Sequence, residues 1–229
     1  MIESWGRAIA LFPHFAEVLL LAAITTVEIT VGGFVIAVIL GLAFGILKTS
    51  PHRTRRAIAT VYVEVFRSVP VLTQLFIIYF GLGEIGVRLD PLSAAIIGFG
   101  INGGAYLTEV FRSGIEAIHR GQMEASFAIG MTRPQTMRYI IVPQAVRIVL
   151  PPIGNYVIGL LKETSIASAV AAPELMYQAG TLIRQTFLSS QIYLMVAVIY
   201  LCMSLPLSRL TRHLESRMGK GKAAGGATR

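Results

Sequence analysis

Charge is what this chain has least of. Asp, Glu, Lys and Arg make up 14% of its 229 residues while apolar types make up 54%, against about 25% charged in an ordinary globular protein. With a mean hydropathy of +0.67, that shortfall points to lipid as the solvent and excludes both a disordered chain and a polar nucleic-acid-binding domain. No nucleic-acid partner is expected. Cysteine occurs once, at Cys202, which excludes an intrachain disulfide; in its apolar run it reads as a small core hydrophobe. The histidines, His14, His52, His119 and His213, have no Cys or carboxylate at ligand spacing, so no metal site is expected. A phosphate-cradling loop is missing too. Gly41 to Thr49 ends in Lys-Thr without the required spacing, and the chain itself is expected to bind no ATP or other cofactor. Gly98-Phe-Gly100-Ile-Asn-Gly103 spells a dinucleotide fingerprint, but it lies inside an apolar run with no strand before it. Gly100 and Gly104 are better explained as a small-xxx-small pair for close helix packing.

Long apolar runs take the place of these missing features. Residues 18–47 form one, broken by Glu28 and longer than the roughly 20 residues a bilayer core requires. Candidate spans follow at 57–83, 91–111, 144–166 and 191–208, which predicts an all-α membrane protein of about five transmembrane helices. The net charge is +8, and its distribution sets the orientation. Lys and Arg number one in 1–17, four in 48–56, one in 84–90, four in 112–143, one in 171–190 and six from Leu207 onward. By the positive-inside bias this alternation places the N-terminus outside and the C-terminus in the cytoplasm. The expected parts are an extracytoplasmic segment 1–17, a transmembrane domain 18–212 with a cytoplasmic loop 112–143, and a basic disordered tail 213–229 attracted to membrane lipid.

The loop 112–143 is longer than a helix connection needs. In it, QMEASFAI from Gln122 to Ile129 places Met123, Phe127 and Ala128 on one helical face, and Gly130 stands where a left-handed stop is expected. Such a helix suits lipid headgroups or a partner's groove. Glu124-Ala125-Ser126, three residues, Gly130, nine residues and Ile140-Ile141-Val142-Pro143 resemble the EAA signature of permease subunits of bacterial ABC importers, with Ser126 for Ala and Val142 for Leu. Glu64-Val-Phe-Arg67-Ser-Val-Pro70, Gly104-Ala-Tyr106 and Leu150-Pro151-Pro152 onward resemble the polar amino acid and opine subfamily. The resemblance implies the type I importer fold in the bacterial inner membrane and alternating access. It also implies a homodimer or a heterodimer with a paralogous permease, two ATPase subunits that hold ATP and Mg, and an extracytoplasmic binding protein delivering an amino acid. The chain would then be a non-catalytic subunit, coupled to the ATPase through Gln122, Glu124, Ala125, Ser126 and Gly130. Glu124, read as close to the start of the loop helix, either meets a basic group of the ATPase or caps its own helix. A gradient-driven secondary transporter of small polar solutes is the alternative, disfavoured by the odd span count and the lack of a repeat.

Charges inside spans need partners. Glu64 with Arg67, and Glu109 with Arg112, stand three apart and are expected to form structural ion pairs; nothing assigns a role to Glu28. The fourth span is expected to line the substrate pathway. After Pro151 and Pro152 interrupt its ladder, Asn155, Lys162, Glu163, Thr164 and Ser165 bring amide, ammonium, carboxylate and hydroxyl groups able to meet both ends of an amino acid. Thr164 and Ser165 have the competing option of bonding their own helix. Gln74, four residues after Pro70, is a further candidate for the same cavity.

Overall fold

The computed structural model describes residues 2–219. Its helices are α1 (Ile2–Lys48), α2 (Arg53–Ser68), α3 (Val71–Glu84), α4 (Pro91–Glu116), α5 (Arg120–Ala128), α6 (Arg133–Val170), α7 (Leu175–Thr186) and α8 (Ser189–Gly219). Four are long and apolar enough to cross a bilayer, and α2 with α3 makes a fifth if that pair, bent by 101°, counts as one span.

α1 is 47 residues long, about 70 Å at 1.5 Å per residue, more than twice a bilayer core. The segment expected to precede the first span is therefore the same helix, and it is not peripheral. Phe15 and Leu19 are buried against Leu175, Ala179 and Leu182 of α7, Leu188 of the turn that follows, and Ile192 and Val196 of α8. Along its other face Ile24, Val31, Val35, Ile39, Leu42 and Ile46 are all exposed, a helical stripe that only lipid or another membrane helix can cover. Glu28, also exposed, lies on it.

α1 and α4 are the central pair. Gly33, Ala37, Gly41 and Gly45 recur every fourth residue on α1 opposite Gly100 and Gly104 on α4. A Cβ at Gly104 would lie 2.7 Å from Leu40 Cβ, and one at Gly41 2.6 Å from Leu107 Cβ, so the approach demands that neither residue carry a side chain. α4 begins cleanly: Asp90 accepts from Ser93 N at 3.0 Å with Pro91 at the first helical position.

The second candidate span is a bent pair, α2 and α3, for a reason local to Pro70. Proline has no N–H, so Phe66 O loses its helical donor and the chain turns. Gln74 Nε2 donates to Phe66 O at 2.9 Å and to Val69 O at 2.7 Å, and Asn102 Nδ2 of α4 also donates to Phe66 O at 2.9 Å. In apolar surroundings these side chains replace the water that would otherwise satisfy a broken helix.

Three more expectations change. The segment 171–190 is not a plain loop but contains α7, with its N-cap carboxylate, Glu174, fully buried. Cys202 is exposed on α8 rather than part of the core. α8 continues to Gly219 through the first part of the segment expected to be a disordered tail, and 220–229 lie outside the described residues.

Candidate functional site

The loop helix forms as the sequence indicates and is held more firmly than the sequence reveals. α5 starts at Arg120, with His119 Nδ1 accepting from Gly121 N at 3.1 Å. It ends in a complete Schellman arrangement: Gly130 N donates to Phe127 O and Met131 N to Ser126 O, both at 3.0 Å, while Gly130 takes φ +81. Ser126 is buried, its hydroxyl bonding Met123 O at 2.7 Å and Thr136 Oγ1 of α6 at 2.8 Å. The third position of the signature thus pins α5 to the start of α6. Gln135 Oε1 accepts from Thr132 N at 2.8 Å and ties off that start. Gln122 is exposed, and its Oε1 accepts from Gln144 Nε2 of α6 at 3.4 Å.

Glu124 is the fifth residue of α5, not in its first turn, and the cap is His119. Its carboxylate therefore neither caps the helix nor gains much from the dipole, which fades within one turn. Glu124, Ala125 and Phe127 are instead exposed together, Phe127 at 45% with Ile129 beside it at 77%. A rigid, fully capped helix thus presents a mixed acidic and apolar surface outward.

α5 also follows directly from the charged end of α4. Glu109 accepts from Lys48 of α1 and from Arg112 Nε at 2.8 Å, and Arg112 bonds Glu116 in turn. The expected Glu109–Arg112 pair is present, with Lys48 as an unexpected third member that ties α1 to α4. The expected Glu64–Arg67 pair is absent: both side chains are exposed on α2 and no ion pair joins them.

On α6 the polar residues divide. Asn155 and Lys162, seven apart and so on one face, are exposed, as is Glu163; a Cβ at Gly159 between them would meet nothing within 4 Å. They form an outward wall that the chain's own core does not use. Thr164 and Ser165 bond back to Leu161 O and Lys162 O, each at 2.8 Å, and Thr164 is buried; these hydroxyls serve the helix. Gln74 serves the Pro70 bend and is likewise removed from the wall. Nor do Pro151 and Pro152 interrupt the helix, which is continuous from Val142 to Glu163, although neither has an N–H to donate to the carbonyl four residues back. Aromatic rings, unanticipated from the sequence, back the wall. Tyr156 stacks on Tyr106 with centroids 5.3 Å apart, over Gly103, and Tyr62 donates to Ile101 O at 2.7 Å.

Comparison with known proteins agrees with this architecture. Residues 33–220 match the family model described as binding-protein-dependent transport system inner membrane component. The chain is 38% identical over 182 residues to the probable glutamine ABC transporter permease protein GlnM of Bacillus subtilis, covering 80% of this chain and 84% of that one. It is 38% identical over 195 residues to the glutamine transport system permease protein GlnP of Escherichia coli, covering 84% and 89%. A solved amino acid ABC transporter with histidines superposes with a TM-score of 0.85 at 34% identity, over 90% of this chain and 96% of the other. An inward-facing MetNI methionine ABC transporter shares the fold, with a TM-score of 0.69 at 22% identity over 86% and 96%.

Proposed function

We propose a function from one premise: the chain belongs to the family of binding-protein-dependent transport system inner membrane components, as a permease of the amino acid ABC transporter group. It forms half of a translocation pathway through a bacterial inner membrane, paired with a second copy or a paralogous permease, and moves polar amino acids or opines inward. Glutamine is the first substrate to try, given the relatives' names. The chain is not itself the catalyst; ATP and Mg belong to two ATPase subunits seated under α5, and a binding protein delivers substrate to the opposite face. Loop charge favours an external N-terminus and a cytoplasmic C-terminus.

The observation that carries this reading is the construction of α5. The Ser126–Thr136 bond and the Schellman end at Gly130 hold it to the start of α6, the Lys48–Glu109–Arg112 network ties α1 to the end of α4 that leads into it, and Glu124 and Phe127 face outward. When the ATPase dimer closes, a helix held this way transmits the motion to α4 and α6 as a rigid-body rotation that opens the pathway. The wall of Asn155, Lys162 and Glu163 then faces the path between the two permeases.

The test is uptake of radiolabelled glutamine, arginine and glutamate into proteoliposomes holding this permease with its ATPase and binding protein. ATP-dependent accumulation of at least one is the expected result. Accumulation driven by an ion gradient without ATPase subunits would instead establish the secondary-transporter alternative.

A further inference from the structure

An open cavity of about 800 Å³ lies between the α1–α2 turn and α5, bordered by Arg55, Arg56, Arg120 and Arg133, within the size range of about 300–1,000 Å³ usual for small-ligand sites. Its other charged neighbours are already neutralised: Lys48 bonds Glu109, and Glu116 bonds Arg112. His119 is engaged through Nδ1 with Gly121 N. The four guanidinium groups, in contrast, take part in no ion pair among the described residues, so the cavity has an uncompensated positive charge. Thr49 and Ser50 add hydroxyls at the turn, and Ile46, Ile115, Met137 and Ile141 supply an apolar side to the wall. Ile46 is also the last member of the exposed stripe that runs down α1 through Ile39 and Leu42, so the lipid-facing surface of the helix leads directly into the basic cavity.

We infer that this cavity binds the phosphate headgroup of an anionic phospholipid, whose acyl chain lies along the Ile39–Leu42–Ile46 stripe. Guanidinium forks suit phosphate oxygens. A soluble anion would satisfy the arginines but leave the adjoining apolar stripe without a role. The inference rests on the proposed orientation, which puts this end of α1 at the anionic inner leaflet. A lipid there would brace the α1–α2 turn against α5 and make coupling depend on membrane composition.

The experiment uses the permease with its ATPase subunits in nanodiscs of phosphatidylcholine with or without phosphatidylglycerol, reading retained phosphatidylglycerol by native mass spectrometry and the thermal unfolding midpoint. Wild type is expected to retain phosphatidylglycerol and gain midpoint from it, but not from inorganic phosphate. Arg55→Gln with Arg56→Gln is expected to weaken retention about twenty-five-fold, since each cationic side chain near an anionic bilayer contributes about a factor of five; Arg209→Gln with Arg212→Gln, outside the cavity, is expected to leave it unchanged. Three results would each overturn the inference: unchanged retention in the Arg55 and Arg56 variant, an equal response to inorganic phosphate, or retention only after the ATPase is removed, which would make the cavity an ATPase contact. Failure of an ATPase to co-purify would count against the transport reading alone, because the lipid measurement still reports on the isolated permease.

Discussion

The bend at Pro70 offers a sharp test of how a broken helix survives in lipid. Phe66 O lacks its helical donor and is served twice, by Gln74 and by Asn102, whereas Val69 O is served by Gln74. Gln74→Leu therefore strips Val69 O but leaves Phe66 O with Asn102. One buried carbonyl without a donor costs about 1–3 kcal/mol, partly offset because Gln74 Oε1 is itself buried without a partner and leaves with the side chain; the expected net loss is about 1–2 kcal/mol. Asn102→Leu alone leaves Phe66 O with Gln74 and costs about 1 kcal/mol in lost bonding. Both together orphan Phe66 O as well, so the double variant loses about 1 kcal/mol or more beyond the sum of the singles. The assay is a double-mutant cycle on denaturant unfolding in detergent, with activity as the check that each variant folds. Additivity within about 0.5 kcal/mol would refute the reasoning and show that the two amides do not share one carbonyl.

Further outcomes follow from the same contacts. Glu109→Ala strands the half-buried Lys48 and leaves Arg112 with Glu116 alone, and is expected to cost about 1–3 kcal/mol, while Glu64→Ala, exposed and unpaired, costs under about 0.5 kcal/mol; thermal denaturation compares them. Gly130→Ala forces a Cβ into the left-handed region, with an expected cost of about 1 kcal/mol locally and a larger fall in transport than in folding, read by uptake against melting temperature. Burial raises the Glu174 carboxyl from 4.5 to about 7 in the folded chain, while Tyr177 N and Tyr200 Oη donate to it. The folded state therefore holds the proton more tightly than the unfolded one. Stability from this group is complete below about pH 4.5 and declines as pH rises to 7, by up to about 3 kcal/mol at 1.36 kcal/mol per pKa unit; Glu174→Gln is expected to flatten that decline in unfolding measured across the range.

Spans, the loop helix and its stop were legible in the sequence because each has a local signature: apolar length, a helical stripe ahead of a glycine, charge alternating from loop to loop. Features that depend on residues far apart were not. Nothing local marks Lys48 as the partner of Glu109, or Thr136 as the partner of Ser126. The Thr132-x-x-Gln135 pattern was a readable cap signal that would have marked the start of α6. Length and hydropathy do not register a 101° bend, although Pro70 with two amides within reach held the clue. α7, at 12 residues, is too short and amphipathic to register as a span, and its burial against α1 depends on that helix extending past the membrane. The pathway residues were legible by type but not by direction: of the six candidates, Gln74, Thr164 and Ser165 turn to the backbone while Asn155, Lys162 and Glu163 face outward. At membrane depth a polar side chain satisfies its own chain first and is free for function only where the geometry prevents that.

The central claim, that α5 couples this permease to an ATPase, is tested most directly by ATP hydrolysis in proteoliposomes containing the full complex, with and without substrate-loaded binding protein. Glu124→Ala and Phe127→Ser change only exposed groups on α5. The account predicts that both variants fold and assemble but lose most of the stimulation by loaded binding protein. Full stimulation in both would contradict it and place the coupling contact elsewhere on the chain.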